Sequence, residues 1–225
     1  MEPLAFIHAL QLADSFFPVG AFAYSDGLET AAANGQVTDS VSLAEWMDHF
    51  VERVFVPWEG LAVLKCMLAL KNGDLEDVLR IDEELSAMRP AAASRRSSVL
   101  IGKQLLSLHG SVSGDKQLNA IAGGLPCNNA ATAYALVFFL REIPEKEGVM
   151  AYGYSRLAGI VSAGLRLISI GQREGQAILT KVVRRLPEAA EQILEMRNEP
   201  LRAFSPLLDI QQMNHQYLYS RMFRS

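Results

Sequence analysis

From Leu43 to Val54 the apolar residues fall on one face of a helix and fit no other regular structure. Leu43, Trp46, Met47, Phe50, Val51 and Val54 recur at spacings of three and one, the helical period and not the alternation of a half-buried strand. The period returns in Leu75, Val78, Leu79 and Leu85, and again in Leu157, Ile160, Val161, Gly164, Leu165 and Ile168. No alternating run bounded by hairpin turns separates these stretches. Asn72-Gly73, Gly110, the Gly123–Pro126 breaker, Gly171 and Pro187 punctuate them instead. The expectation is an all-α fold, a single-domain multi-helix bundle with short loops over residues 1–225.

Local signals set more detailed expectations. Ser42 and Glu45 have capping-box spacing, and Pro57 should end or bend the helix they open. A further helix is expected over Glu59–Leu70, and Asp74 should cap the one after it. The acids Glu76, Asp77, Asp82, Glu83 and Glu84 lie away from that helix's apolar side and read as a solvated face. The next helix should stop at Gly110, with His109–Lys116 as a loop. Ala130–Leu140 is densely apolar but only 11 residues long, so it predicts a buried helix and not a membrane span. In the helix expected over Val149–Ile170, Ala158, Gly159, Ser162, Ala163 and Gly164 permit close approach by a neighbour.

Composition narrows the functional classes. The net charge of −4 argues against nucleic acid as the main partner, since phosphate neutralisation needs clustered cations. The two cysteines, Cys66 and Cys127, form no CxxC and read as reduced thiols, which favours a cytoplasmic setting. The first ten residues lack a basic segment and a cleavage site, so no signal peptide is expected. There is no GxxxxGK[ST], GxGxxG or GxSxG. The histidines at 8, 49, 109 and 215 show no metal-ligand spacing. Ser25-Asp26 with a distant histidine is the nearest approach to a hydrolase triad, but no oxyanion element is legible. No catalytic residue, metal site or cofactor is expected.

Two segments remain. In Leu10–Glu29 (LQLADSFFPVGAFAYSDGLE), Pro18-Val19-Gly20 breaks the chain, and a helix is expected to restart with Ser25 as its cap. Phe16, Phe17, Phe22 and Tyr24 gather around this corner, either as core beneath it or as a surface it presents. At the other end, Ile210–Ser220 carries no charge, and Met213, Tyr217, Leu218, Tyr219, Met222 and Phe223 cover more than one helical face. Aromatics and methionine beside Arg221 and Arg224 have the composition of an interface core. The alternative is a tail packed into its own chain or its twin.

The Pro-Val-Gly-x-Phe-x-Tyr-Ser-x-Gly-Leu-Glu pattern of 18–29 resembles the N-terminal signature of UreF-type urease accessory proteins. So do three further stretches. One holds Arg95, Ser98, Gly102, Leu105 and Leu106; a second holds Arg166, Leu167, Gly171, Gln172, Gly175 and Gln176. The third is the ending with Pro206, Leu207, Asp209, Ile210, His215, Tyr219, Arg221, Phe223 and Ser225. The chain departs from the family pattern at Leu118–Ala131, which keeps Pro126 but lacks a histidine and inserts Asn128 and Asn129.

The resemblance implies a non-enzymatic urease maturation chaperone and a homodimer. It would scaffold a UreD/UreH-type accessory protein and a UreG-type GTPase for GTP-dependent nickel insertion into apo-urease. The partner-binding residues it suggests are Pro18, Gly20, Phe22, Tyr24, Ser25, Glu29, Arg95, His215, Tyr217, Tyr219, Arg221 and Phe223, with 205–225 as a partner-binding tail. The alternative is a metallochaperone that itself binds nickel at a dimer interface.

Overall fold

A computed structural model describes residues 1–14, 16–113 and 116–224. They form an all-α bundle, with no strand among them. The helices are α1 (Pro3–Ala13), α2 (Leu28–Ala33), α3 (Ser40–Phe50), α4 (Gly60–Lys71), α5 (Leu75–Ala87), α6 (Ala92–Ser113), α7 (Lys116–Gly124), α8 (Ala130–Leu140), α9 (Glu145–Leu167), α10 (Gln172–Val183), α11 (Leu186–Glu195) and α12 (Pro206–Asn214). The apolar segment at 130–140 is the central helix, as its composition predicts. Every residue of α8 from Ala130 to Phe138 is buried, because α4 and α6 pack on it from two sides. The longer α9 receives α1, α2, α3, α4, α10 and α11. No helix among the described residues is long and apolar enough to cross a membrane.

The small residues of α9 do what their size allows. A methyl group built on Gly164 would lie 2.6 Å from Leu43 Cδ2, and one on Gly153 would lie 2.7 Å from Leu186 and Phe55 atoms. These glycines set the distance at which α3, α11 and the segment between α3 and α4 meet α9.

Pro57 does not end its helix. Residues 51–59 continue as a π-helical stretch joining α3 to α4, with Pro57 inside it. A proline leaves the helical ladder short of one donor, and a wider turn accommodates the mismatch. The Pro57 carbonyl accepts from Arg202 N at 3.0 Å, so the distortion is used to hold the segment leading to α12. The cap of α3 also lies earlier than the Ser42–Glu45 spacing suggests. Asp39 is the N-cap, accepting from Ser42 N at 2.9 Å, while Asp39 N donates to Ser42 Oγ at 3.2 Å. Asp74 caps α5 as expected, accepting from Asp77 N at 3.0 Å.

Asp82 corrects the reading of a solvated acidic face. It is fully buried, and its carboxylate accepts backbone N–H groups from Cys127 (2.8 Å), Asn128 (2.7 Å) and Asn129 (2.7 Å). Asn129 donates in addition to the Asp82 carbonyl (2.8 Å) and to Ser86 Oγ (2.9 Å), and accepts from Ser98 Oγ (3.0 Å). Asn128 holds φ at 63°, a left-handed conformation that asparagine tolerates better than most residues. Asn128 and Asn129 therefore build the entrance to α8. Gly102 of α6 lies against the same loop; a methyl group there would fall 2.0 Å from the Asn128 carbonyl oxygen.

Three boundaries differ from expectation. α6 runs past Gly110 to Ser113; the rest of the loop predicted there includes Gly114 and Asp115, which lie outside the described residues. α9 begins at Glu145, where Glu145 and Glu147 favour a helix N-terminus, and ends at Leu167. The C-terminal helix stops at Asn214, followed by one 3-10 turn over His215–Tyr217 and non-helical chain.

Candidate partner-binding surface

The N-terminal motif is a pair of tight turns. Gly20 takes φ 75°, opening a 3-10 turn over Ala21–Ala23. Asp26 (φ 51°) and Gly27 (φ 87°) are then left-handed in succession, and α2 starts at Leu28. Ser25 is thus not the cap: the residue before α2 is Gly27, and the Ser25 carbonyl accepts from Leu28 N at 3.1 Å. Gly27 is needed twice over. Its φ suits glycine, and a methyl group on it would lie 3.2 Å from atoms of Gln211 and Gln212 on α12.

That contact brings the two ends of the chain together. Glu29 is buried, and its carboxylate collects three donors from the tail: His215 Nε2 (2.6 Å), Met222 N (2.6 Å) and Phe223 N (3.2 Å). A carboxylate only accepts, so the His215 ring donates from Nε2. Arg224 N donates to the Ala23 carbonyl at 2.9 Å. Arg166 of α9 closes the joint. Its guanidinium lies 4.2 Å over the Phe223 ring and donates to the Phe22 carbonyl at 2.8 Å. Hydrogen bonds to a charged group are each worth about 1.5–3 kcal/mol, so Glu29 is the main fastener of the tail.

Beneath the motif lies a buried ion network. Arg156 of α9 pairs with Asp26 (2.7 Å) and with Glu59 (2.9 Å). Glu59 also pairs with Arg89 (2.7 Å) and accepts from Tyr152 Oη (3.2 Å), and Arg89 stacks 4.4 Å over the Trp58 ring. Burial alone would raise the Glu59 carboxyl, but the charges of Arg156 and Arg89, with hydrogen bonds from Arg89 and Tyr152, outweigh it and hold it at about 2 against an ordinary 4.5. The sequence reading missed this network. Glu59 is a lone acid in an apolar run, and Arg156 is the one cation between Lys146 and Arg166 in a helix rich in small residues, which was the available signal.

The twelve suggested residues do not share one environment. Glu29, His215 and Phe223 are sealed into the joint, and Ser25 is buried beside it. Phe22 (68% exposed), Tyr217 (78%) and Tyr219 (fully exposed) project from its rim, with Met222 beside them. Pro18 and Arg221 are also exposed, while Gly20 and Tyr24 are half-buried, Tyr24 packing on the core. Arg95 lies apart. It donates to the carbonyls of Arg89 and Pro90, securing the turn into α6.

The exposed surface extends further than the sequence reading placed it. Phe204, just before α12, and Leu207, Ile210 and Met213 along it recur every three residues and are all exposed, leading directly to Tyr217. A second apolar area covers α1 through Leu4, Phe6, Ile7 and Leu10. Beside it, α1, α9 and α11 enclose a groove of about 640 Å³ lined by Phe6, Leu10, Met150, Tyr154 and Leu186.

The potential metal ligands are occupied or scattered. His49 Nε2 lies 2.9 Å from Ser205 Oγ, and His109 Nε2 accepts from Arg141 Nε at 3.1 Å. Burial, with the Asp82 charge adding to it, pushes the Cys66 thiol far up, away from the thiolate that binds metal. Among the described residues no three His, Cys, Asp or Glu side chains gather as a ligand set.

Fold and surface together define an all-helical protein whose first motif and last residues form one joint, ringed by exposed aromatic and aliphatic side chains. The family model for UreF matches residues 37–183. The chain is 34% identical over 217 residues to "Urease accessory protein UreF" of Microcystis aeruginosa, covering 96% of each chain. It is 32% identical over 220 residues to the protein of that name from Nostoc sp. (98% of this chain, 96% of the relative), and 31% identical over 223 residues to the one from Lachnoclostridium phytofermentans (97% and 98%). The chain belongs to the UreF family.

Proposed function

We propose that this protein is a urease maturation chaperone that acts as a scaffold and makes or breaks no bond itself. It joins a UreD/UreH-type accessory protein, which contacts apo-urease, to a UreG-type GTPase that carries nickel, and it works in the cytoplasm as a homodimer. The observation that carries this reading is the joint between Glu29 and the tail. It fixes the backbone on both sides of Phe22, Tyr217 and Tyr219 while leaving their rings in solvent. Rings presented on an ordered backbone lose little conformational freedom on binding, which favours them as interface anchors.

A bridging protein needs two separate contact areas. The tail with α12 offers one, and α1 with its groove offers a second. Contiguous exposed apolar area of this kind marks interaction sites on soluble proteins. Charge steering toward an acidic partner comes from the exposed Arg96 together with Arg95, whose bonds to neutral carbonyls leave its charge intact. The scaffold biases the GTPase only as far as it binds one nucleotide state better than the other.

The test is co-purification of the chain with candidate urease accessory proteins, with and without GTP and nickel. Capture of a UreD/UreH-type protein that is lost on deleting residues 217–225, with helicity retained, supports the reading. Capture that survives the deletion moves the contact elsewhere. Stoichiometric, tight nickel binding by the isolated chain, lost in Cys127→Ala, would replace the scaffold with a metallochaperone.

A further inference from the structure

We infer that Arg156 is a positioning residue for the tail joint: by holding Asp26 in its left-handed conformation, it aims Glu29 at the tail's backbone. Asp26 has φ 51° without being glycine, a conformation that persists where its surroundings enforce it. The contact that does so is the ion pair to Arg156 at 2.7 Å, with the two side chains only 20% and 17% exposed.

The path from Asp26 to the tail is short. Gly27 follows, seated against Gln211 and Gln212 of α12. Leu28 starts α2, and Glu29 is its second residue. A rotation of the backbone at Asp26 therefore swings both the Gly27–α12 contact and the carboxylate that receives His215, Met222 and Phe223. Arg156 is itself fixed from behind by Glu59 at 2.9 Å, so it acts as a rigid post. Ten residues on, about 15 Å along the same helix, Arg166 takes the Phe22 carbonyl and the Phe223 ring. Helix α9 thus grips the motif at two points, and the joint takes its geometry from α9.

This deepens the scaffold reading, and rests on it only for what the ordered tail is used for. The positioning role is read in the isolated full-length chain by amide hydrogen exchange. Arg156→Met should speed exchange at the Met222 and Phe223 amides tenfold or more, while the α8 amides of Ala133 and Leu136 keep their rates. Adding Asp26→Gly, which frees the left-handed conformation from any need for the ion pair, should restore the tail amides to within about threefold of wild type. A purely structural role for Arg156 would not be rescued this way, because Glu59 has lost the same partner in both variants.

Unchanged tail exchange, a rise shared equally by α8, or no rescue overturns the inference. If Arg156→Met does not fold, Asp26→Ala decides, since it removes the carboxylate and leaves the Arg156–Glu59 pair whole. Tail exchange faster by threefold or more supports the role, and a smaller change overturns it. If the scaffold reading fails instead, partner capture is lost from the account while the exchange pattern stands.

Discussion

The Glu29 carboxylate and the His215 imidazole, separated by 186 positions in the chain, meet at 2.6 Å inside the protein. Through this pair the first motif of the sequence holds its last residues, and the rings between them are left on display. The interior of the joint and its rim therefore respond differently to substitution.

Glu29→Gln should destabilise the protein by about 2–3 kcal/mol, because a neutral amide weakens three charge-assisted hydrogen bonds and brings donors of its own. Urea denaturation measures this. A change below about 0.5 kcal/mol, typical of surface sites, would mean that the tail is not fastened there.

Acid should act on the network below. Glu59 titrates at about 2 in the folded protein against 4.5 ordinarily. Its folded-state value is lowered, so its contribution is fully present above about pH 4.5–5 and is lost as the pH falls toward 2. Glu59→Gln should lower stability at neutral pH and flatten its acid dependence in that window. An unaltered slope between pH 5 and 2.5 would contradict the assignment.

Asp82→Ala leaves the N–H groups of Cys127, Asn128 and Asn129 without their acceptor, at about 1–3 kcal/mol for each stranded donor. A loss of at least about 3 kcal/mol is expected, with Asp82→Asn falling between it and wild type. A near-neutral Asp82→Ala in thermal or urea unfolding would return this residue to the solvated face.

Gly102→Ala and Gly159→Ala form a matched pair. The first places a methyl group 2.0 Å from a backbone oxygen, and the second meets nothing within 4 Å. Gly102→Ala should cost about 3 kcal/mol or prevent folding, whereas Gly159→Ala should be neutral or stabilising by about 0.5–1 kcal/mol. Melting temperatures of the two variants decide it.

The sequence revealed the helices because their apolar period is a local property, and α8 was visible as an apolar run too short for a membrane. Proline at 57 was harder to read. Whether it ends a helix or is absorbed in a wide turn depends on packing that lies elsewhere in the chain. Asp82 was misread by its neighbours' charge, although it stands four residues after Val78 and three before Leu85, on the buried stripe itself.

The candidate residues could be named from the sequence, but their arrangement could not. Glu29, His215 and Phe223 could be picked out with Phe22, Tyr217 and Tyr219, yet nothing local tells that the first three fasten the tail and the other three stand in solvent. That division depends on the turn at Asp26 and Gly27, and on an arginine 130 positions away on α9. Ion pairs between distant segments leave no periodic trace.

The central claim is that the exposed rings, and not the buried joint, contact the partner. The most direct measurement is co-purification of a UreD/UreH-type protein with the triple variant Phe22→Ser, Tyr217→Ser, Tyr219→Ser. The account predicts capture reduced at least tenfold, with melting temperature and Met222 amide protection close to wild type. Undiminished capture by that variant would contradict it.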